Sequence, residues 1–143
     1  MSESVQEINI VGAGLVGSLF AVMLKKKGHD VAVYEQRPDM RQEEIDGGRS
    51  INLVVTSRGV HALKSVGLWE KVSQICVPVY GRVMHSVEGE LTSQPYGKNR
   101  SECNYSVSRA ELNKLLMTEA ELQGVPIYFN SELESADFKN KKL

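Results

Sequence analysis

The sequence predicts an α/β chain built on a parallel sheet, and three observations carry that prediction. A short β-branched strand, Ile8-Asn9-Ile10-Val11, runs into the glycine loop Gly12-Ala13-Gly14-Leu15-Val16-Gly17. Apolar residues then recur at helical spacing, and a second strand, Val31-Ala32-Val33-Tyr34, closes on an acidic residue, Glu35. Further along, two strand-like runs flank Glu88-Gly89, which reads as a hairpin set into an otherwise alternating β/α chain. The expected architecture is a Rossmann-like βαβ fold with an inserted β-hairpin or sheet.

Each element has a local reason. The helix after the glycine loop carries Val16, Leu19, Phe20, Met23 and Leu24. It ends in Lys25-Lys26-Lys27-Gly28, with cations at its negative end and a glycine just past it. Pro38 to Gly48 is polar and charged, so a surface loop is expected there. Ser50 to Val55 returns to strand character. Thr56 can cap a helix carrying Val60, Leu63 and Val66, with Gly67 as its stop, and Leu68 to Ile75 suits a second short helix. Val79–Val87 and Glu90–Pro95 form the predicted hairpin, and Asn104–Val107 a further strand. Ser108-Arg109-Ala110-Glu111 has capping-box spacing and opens a helix with Leu112, Leu115, Leu116, Ala120 and Leu122. Gly124 stops it. Pro126–Phe129 is a last core strand, and Phe138 to Leu143 lies at a turn beyond it.

Composition excludes several classes. With 143 residues, 41% hydrophobic and 24% charged, the chain can bury a core as an ordinary globular protein does. A formal net charge of −1 gives no electrostatic ground for nucleic acid as a partner. No apolar run reaches bilayer length, and Ser2 to Glu7 is polar and acidic, unlike a secretory signal. A cytoplasmic protein without a membrane segment is the expectation. Cys76 and Cys103 lie outside any CxxC spacing and are expected as reduced thiols. With His29, His61 and His85 they make no metal-ligand pattern, so no metal is expected.

The glycine loop has a specific physical role. Gly12 permits the tight turn, Gly14 lets backbone approach a pyrophosphate, and Gly17 with Ala21 keeps the helix near the sheet. The helix N-terminus offers unpaired N–H groups and the positive end of its dipole. Glu35, 18 positions beyond Gly17, can accept hydrogen bonds from an adenosine ribose and would repel a 2′-phosphate. The motif alone leaves FAD and NAD open.

Longer stretches narrow the choice. Gly12 to Ser18, Tyr34-Glu35-Gln36-Arg37-Pro38-Asp39, Gly48-Arg49-Ser50-Ile51-Asn52-Leu53, Gly81-Arg82-Val83-Met84-His85, Pro95-Tyr96-Gly97 and Ser106-Val107-Ser108-Arg109 together resemble the class A flavin-dependent aromatic hydroxylases, most of all their kynurenine-hydroxylating members. The resemblance runs from about Glu7 to Leu133. Val54 and Val55 depart from it, standing where relatives often carry alanine and a leucine or isoleucine.

The resemblance implies FAD as cofactor, NADPH as co-substrate, and L-kynurenine and O2 as substrates. It implies that residues 1–143 are the N-terminal FAD-binding region, with part of a substrate-binding sheet at about 79–107, and that the rest of the family's chain is missing. Carried over by position, Val16, Glu35, Gln36, Arg37, Val54, Arg109 and Leu133 line the FAD site beside Gly12, Gly14 and Gly17. Arg82 and Tyr96 hold the substrate carboxylate, for which an arginine fork and a phenol are suitable partners. Arg49 is a weaker candidate near the cofactor. No side chain is assigned as catalytic, since the flavin itself carries such chemistry. Two alternatives stand beside this reading. One is a catalytically silent FAD- or nucleotide-binding piece, pairing as a homodimer through surface that a longer chain would cover. The other is an NAD-dependent oxidoreductase, disfavoured by the hairpin and the Arg-Ser-Ile-Asn-Leu run.

Overall fold

A computed structural model describes residues 5–42, 51–99 and 102–140. The expectations for Gly48, Arg49, Ser50, most of the loop before them and the last three residues lie outside the described residues. In chain order the elements are β1 (Glu7–Val11), α1 (Leu15–Lys26), β2 (Asp30–Tyr34), β3 (Asn52–Val55), α2 (Ser57–Ser65), α3 (Trp69–Ser73), β4 (Val77–Val79), β5 (Gly81–His85), β6 (Leu91–Pro95), β7 (Asn104–Ser108), α4 (Arg109–Leu122) and β8 (Ile127–Tyr128). The chain divides into two compact units, Met1–Arg49 with Leu112–Leu143, and Ser50–Glu111.

The first unit holds a parallel sheet in the order β1-β2-β8. Ile8 pairs with Val31 and Ile10 with Val33, and Val33 pairs in turn with Ile127. Val31 and Val33 are only 2% and 0% exposed, as expected of a central strand in a covered parallel sheet. The sequence-based α/β assignment and its βαβ core are what the structure contains.

The helix face differs from the expected one. Against the sheet α1 turns Ser18, Ala21 and Val22, all fully buried, while Val16 is 82% exposed and Phe20 about half exposed. Closeness explains the change. A Cβ on Gly17 would land on the carbonyl oxygen of Gly12, so loop and helix lie nearly in backbone contact and only small side chains fit between helix and sheet. Similarly, α4 buries Leu112, Leu116, Met117 and Ala120 but leaves Leu122 exposed.

The loop after β2 was expected at the surface, yet Asp39 is buried. Arg41 makes that possible. Its guanidinium grips the Asp39 carboxylate with Nε and Nη2, at 2.8 and 2.7 Å, bonds Glu121 and lies over the Phe129 ring. These contacts pin the loop to α4 and to the end of β8. Asp39 is held below the usual carboxylate range, chiefly by the Arg41 side chain, against the opposing effect of burial.

The second unit carries the antiparallel sheet β3-β7-β4 and, as a separate ribbon, β5-β6. Its core is Val55, Leu63, Val66, Leu68, Val72 and Val107, with Trp69 edge-on to Tyr105. Thr56 stands at the α2 N-cap without a side-chain capping bond, whereas Ser108 Oγ accepts the Glu111 N–H at 3.4 Å. The strand expected over Val79–Val87 is two strands. Val79 belongs to β4, which pairs with β7, and the hairpin strand starts at Gly81. Gly81 allows the join, because a Cβ there would press on the Gln94 carbonyl. The span 79–107 thus supplies strands to two sheets.

Candidate functional site

The first unit's sheet ends in a cleft of about 450 Å³ lined by Val11, Gly12, Gly14, Tyr34, Glu35, Gln36, Arg37, Ser131, Glu132 and Leu133. That volume falls within the roughly 300–1,000 Å³ usual for small-molecule sites. Three chain segments converge there because β1 and β8 flank β2. Gly12 N–H donates to the Tyr34 carbonyl at 2.7 Å, Glu35 N–H to that of Tyr128 at 2.8 Å, and Ser131 N–H to that of Glu35 at 2.9 Å. The turn off β1 needs Gly12, whose φ is +98°.

Above the loop the space is open. A Cβ on Gly12 or Gly14 would meet nothing within 4 Å. Gly14 is the N-cap of α1, no side chain caps that end, and its first turn holds no acidic residue. A helix start left in this state presents backbone N–H groups and the positive dipole end to an anion. Gly17 is thus dictated by packing, and Gly14 borders free space.

Glu35 is the most constrained group in the cleft. It is 5% exposed, and its Oε2 accepts the Ala13 N–H at 2.8 Å, tying the end of β2 to the glycine loop. Oε1 accepts the Arg37 N–H at 3.0 Å and Arg37 Nε at 2.8 Å, with Arg37 Nη2 a longer 3.4 Å from Oε2. Burial pushes the Glu35 pKa up. The Arg37 side chain and the backbone N–H groups of Arg37 and Ala13 together outweigh it and hold the carboxyl below its ordinary range. The group is an anion, and its outward-facing acceptor capacity is shared with an arginine that is itself 63% exposed.

Of the residues singled out in the sequence, Gly12, Gly14, Glu35, Gln36, Arg37 and Leu133 line this one cleft. Gly17 packs beneath it, and Val16 stands exposed on the first turn of α1. Val54, exposed on β3, and Arg109, the first residue of α4, belong to the second unit, as do Arg82 and Tyr96. Arg82 and Gln94 face each other across β5 and β6, and Tyr96 continues the ladder by donating its N–H to the Tyr80 carbonyl at 2.9 Å. Side chains alternate along a strand, so Arg82, Gln94, Tyr80 and Tyr96 share one face of the ribbon. Sequence reasoning missed Ala13, Ser131 and Glu132. Ala13 acts through its backbone, which no side-chain pattern signals, and the other two arrive from the far end of β8. Among the described residues no group of His, Cys, Asp or Glu is arranged to hold a metal, and no helix is long and apolar enough to cross a membrane.

Known proteins resemble this arrangement. Residues 5–142 match the family described as the FAD binding domain. The chain is 48% identical over 145 residues to kynurenine 3-monooxygenase of Myxococcus xanthus, covering 100% of this chain and 31% of that protein. Identity is 42% over 139 residues to the Legionella pneumophila (strain Corby) protein of the same name, covering 96% and 31%. It is 44% over 138 residues to that of Anopheles gambiae, covering 96% and 28%. The chain therefore spans about a third of the length of these relatives. Among solved structures, 2-methyl-3-hydroxypyridine-5-carboxylic acid oxygenase superposes with a TM-score of 0.79 at 21% identity, over 94% of this chain and 34% of that one. The flavin-dependent halogenase CmlS does so with a TM-score of 0.73 at 22% identity, over 96% and 24%. At such identities the likeness is one of fold.

Proposed function

The chain belongs to the FAD binding domain family, and from that premise we propose that it is the adenosine-holding part of an NADPH-using monooxygenase that hydroxylates L-kynurenine with O2. The observation that carries the reading is Glu35, buried at the end of β2 and tied to the glycine loop beside open space over Gly12 and Gly14. In this reading the N–H groups at the start of α1 receive the pyrophosphate, Glu35 accepts the ribose hydroxyls, and Gln36, Arg37 and Leu133 border the adenine side. Bound FAD supplies the electron transfer and oxygen activation. The chain's own residues bind and orient.

The substrate half of the proposal rests on relatives named kynurenine 3-monooxygenase and on chemistry. Kynurenine carries a carboxylate, and Arg82 with Tyr96 offers a fork and a phenol on one ribbon face. Val54 and Arg109 are proposed as further FAD contacts. A silent FAD-binding piece is the alternative, and product formed by this chain would exclude it.

The test is a titration of the 143-residue chain with FAD, ADP and 2′-phospho-ADP, followed by flavin fluorescence and calorimetry. FAD and ADP are expected to bind, and 2′-phospho-ADP about tenfold more weakly, because Glu35 is an anion. Glu35→Ala is expected to weaken FAD by tenfold or more. Binding of NAD without FAD would overturn the flavin reading. Turnover is assayed as kynurenine-dependent NADPH oxidation with formation of the ring-hydroxylated product. None is expected from this chain by itself, and product at a useful rate would exclude the silent piece.

A further inference from the structure

Resting on that reading of Arg82, we propose that Gln94 is the positioning residue of the carboxylate clamp, holding Arg82 Nε so that both Nη groups stay free to grip the substrate. Arg82 Nε donates to Gln94 Oε1 at 2.7 Å, directly across the ribbon. A guanidinium is a rigid plane with five donors, and it can meet a carboxylate along its Nη–Nη edge or its Nε–Nη edge. Engaging Nε removes the second option. Among the described residues no acceptor is bonded to either Nη of Arg82, so the Nη–Nη edge is what the ribbon offers.

The chemistry of the amide matters as much as its place. Gln94 is neutral, so it orients the guanidinium without cancelling the charge that attracts a carboxylate. A glutamate here would hold Nε equally well and compete with the ligand. Restraint is worth most on this ribbon, because the strand β6 is exposed throughout and β5 at every residue but Gly81. An unheld arginine in such a setting has all its rotamer freedom to lose on binding.

The experiment follows the side-chain resonances of Arg82 in the ¹⁵N-labelled 143-residue chain, with L-kynurenine and its decarboxylated amine as probes up to millimolar concentration. Wild type is expected to show a slowly exchanging Arg82 Nε–H, and Nη signals that shift with L-kynurenine and not with the amine. In Gln94→Leu the Nε–H should exchange as in a free arginine and the Kd for L-kynurenine rise about tenfold. In Gln94→Glu the Nε–H should stay protected while the Kd rises at least as far. Equal Nε–H exchange in wild type and Gln94→Leu overturns the proposal. Unchanged L-kynurenine affinity in Gln94→Leu, with Arg82 still responding, overturns it too but leaves Arg82 as the substrate ligand. If Nε–H protection depends on Gln94 and L-kynurenine never shifts Arg82, the substrate reading itself falls and takes the clamp with it.

Discussion

In the cleft, Glu35 is 5% exposed and is bonded from the glycine loop and from its own strand end. On the β5–β6 ribbon, Arg82 is exposed and its Nε donates to the Gln94 side chain. The first site is fixed by backbone that the sheet itself positions, so little backbone ordering is left to do when a ligand arrives. The second sits on a two-stranded ribbon, an element marginal in isolation, and its geometry rests on cross-strand pairs. Substitutions should therefore couple stability to binding in the cleft and separate them on the ribbon.

The largest expected effect tests that coupling. Gly17→Ala forces the Gly12 carbonyl and α1 apart and should cost about 3 kcal/mol, at the upper end for overpacking. It should lower the urea midpoint and abolish FAD binding together. Gly89→Ala at the ribbon tip has a positive φ to strain but nothing within 4 Å to strike. It should cost about 1 kcal/mol and leave FAD binding intact. Equal outcomes would break the comparison.

Next comes Arg41→Ala, which leaves the buried Asp39 and its neighbour Glu121 without their cation. A loss of roughly 2 kcal/mol is expected, below the figure for a fully buried pair because Arg41 keeps some water contact. Chemical denaturation followed by amide exchange in α4 reads it.

Acid sharpens the same contrast. Glu35 and Asp39 are both held below their ordinary ranges, so at low pH the unfolded chain binds more protons than the folded one. Their stabilisation is complete above the ordinary carboxylate range, near pH 4–4.5, and is lost as pH falls through the folded values. The melting temperature should drop from pH 6 to pH 3, and Asp39→Asn should narrow that drop. The smallest effect belongs to Arg82→Ala: no measurable change in melting temperature, with loss of the L-kynurenine response.

How much of this was legible in the sequence depended on whether a single residue was forced. Gly12 and Gly17 were, by φ and by packing, so the βαβ core and the Glu35 partner could be placed in advance. Gly89 gave away the hairpin in the same manner. Helix faces were less legible, because periodicity weighs apolar residues such as Val16 and Phe20, while the close approach at Gly17 selects Ser18, Ala21 and Val22. Asp39 and Arg41 read as a surface loop since each alone is polar; only their mutual fork permits burial. The clustering of Gln36, Arg37 and Leu133 came from resemblance, and Ser131 and Glu132 reach the cleft only through the folded path of the chain after β8.

One contact in the cleft bears on how fast it can fill. Arg37 covers the outer side of the Glu35 carboxylate with a backbone N–H, Nε and a longer Nη2 contact. A carboxylate has about four acceptor positions, and with Ala13 all four are spoken for. A ribose that bonds through both hydroxyls has to evict the guanidinium first, so association is an exchange with one internal step ahead of it. A contact pair with a buried partner is screened little by salt, so that step persists at moderate ionic strength. The cleft should then load its nucleotide more slowly than simple attraction between an anionic ligand and a helix start would give.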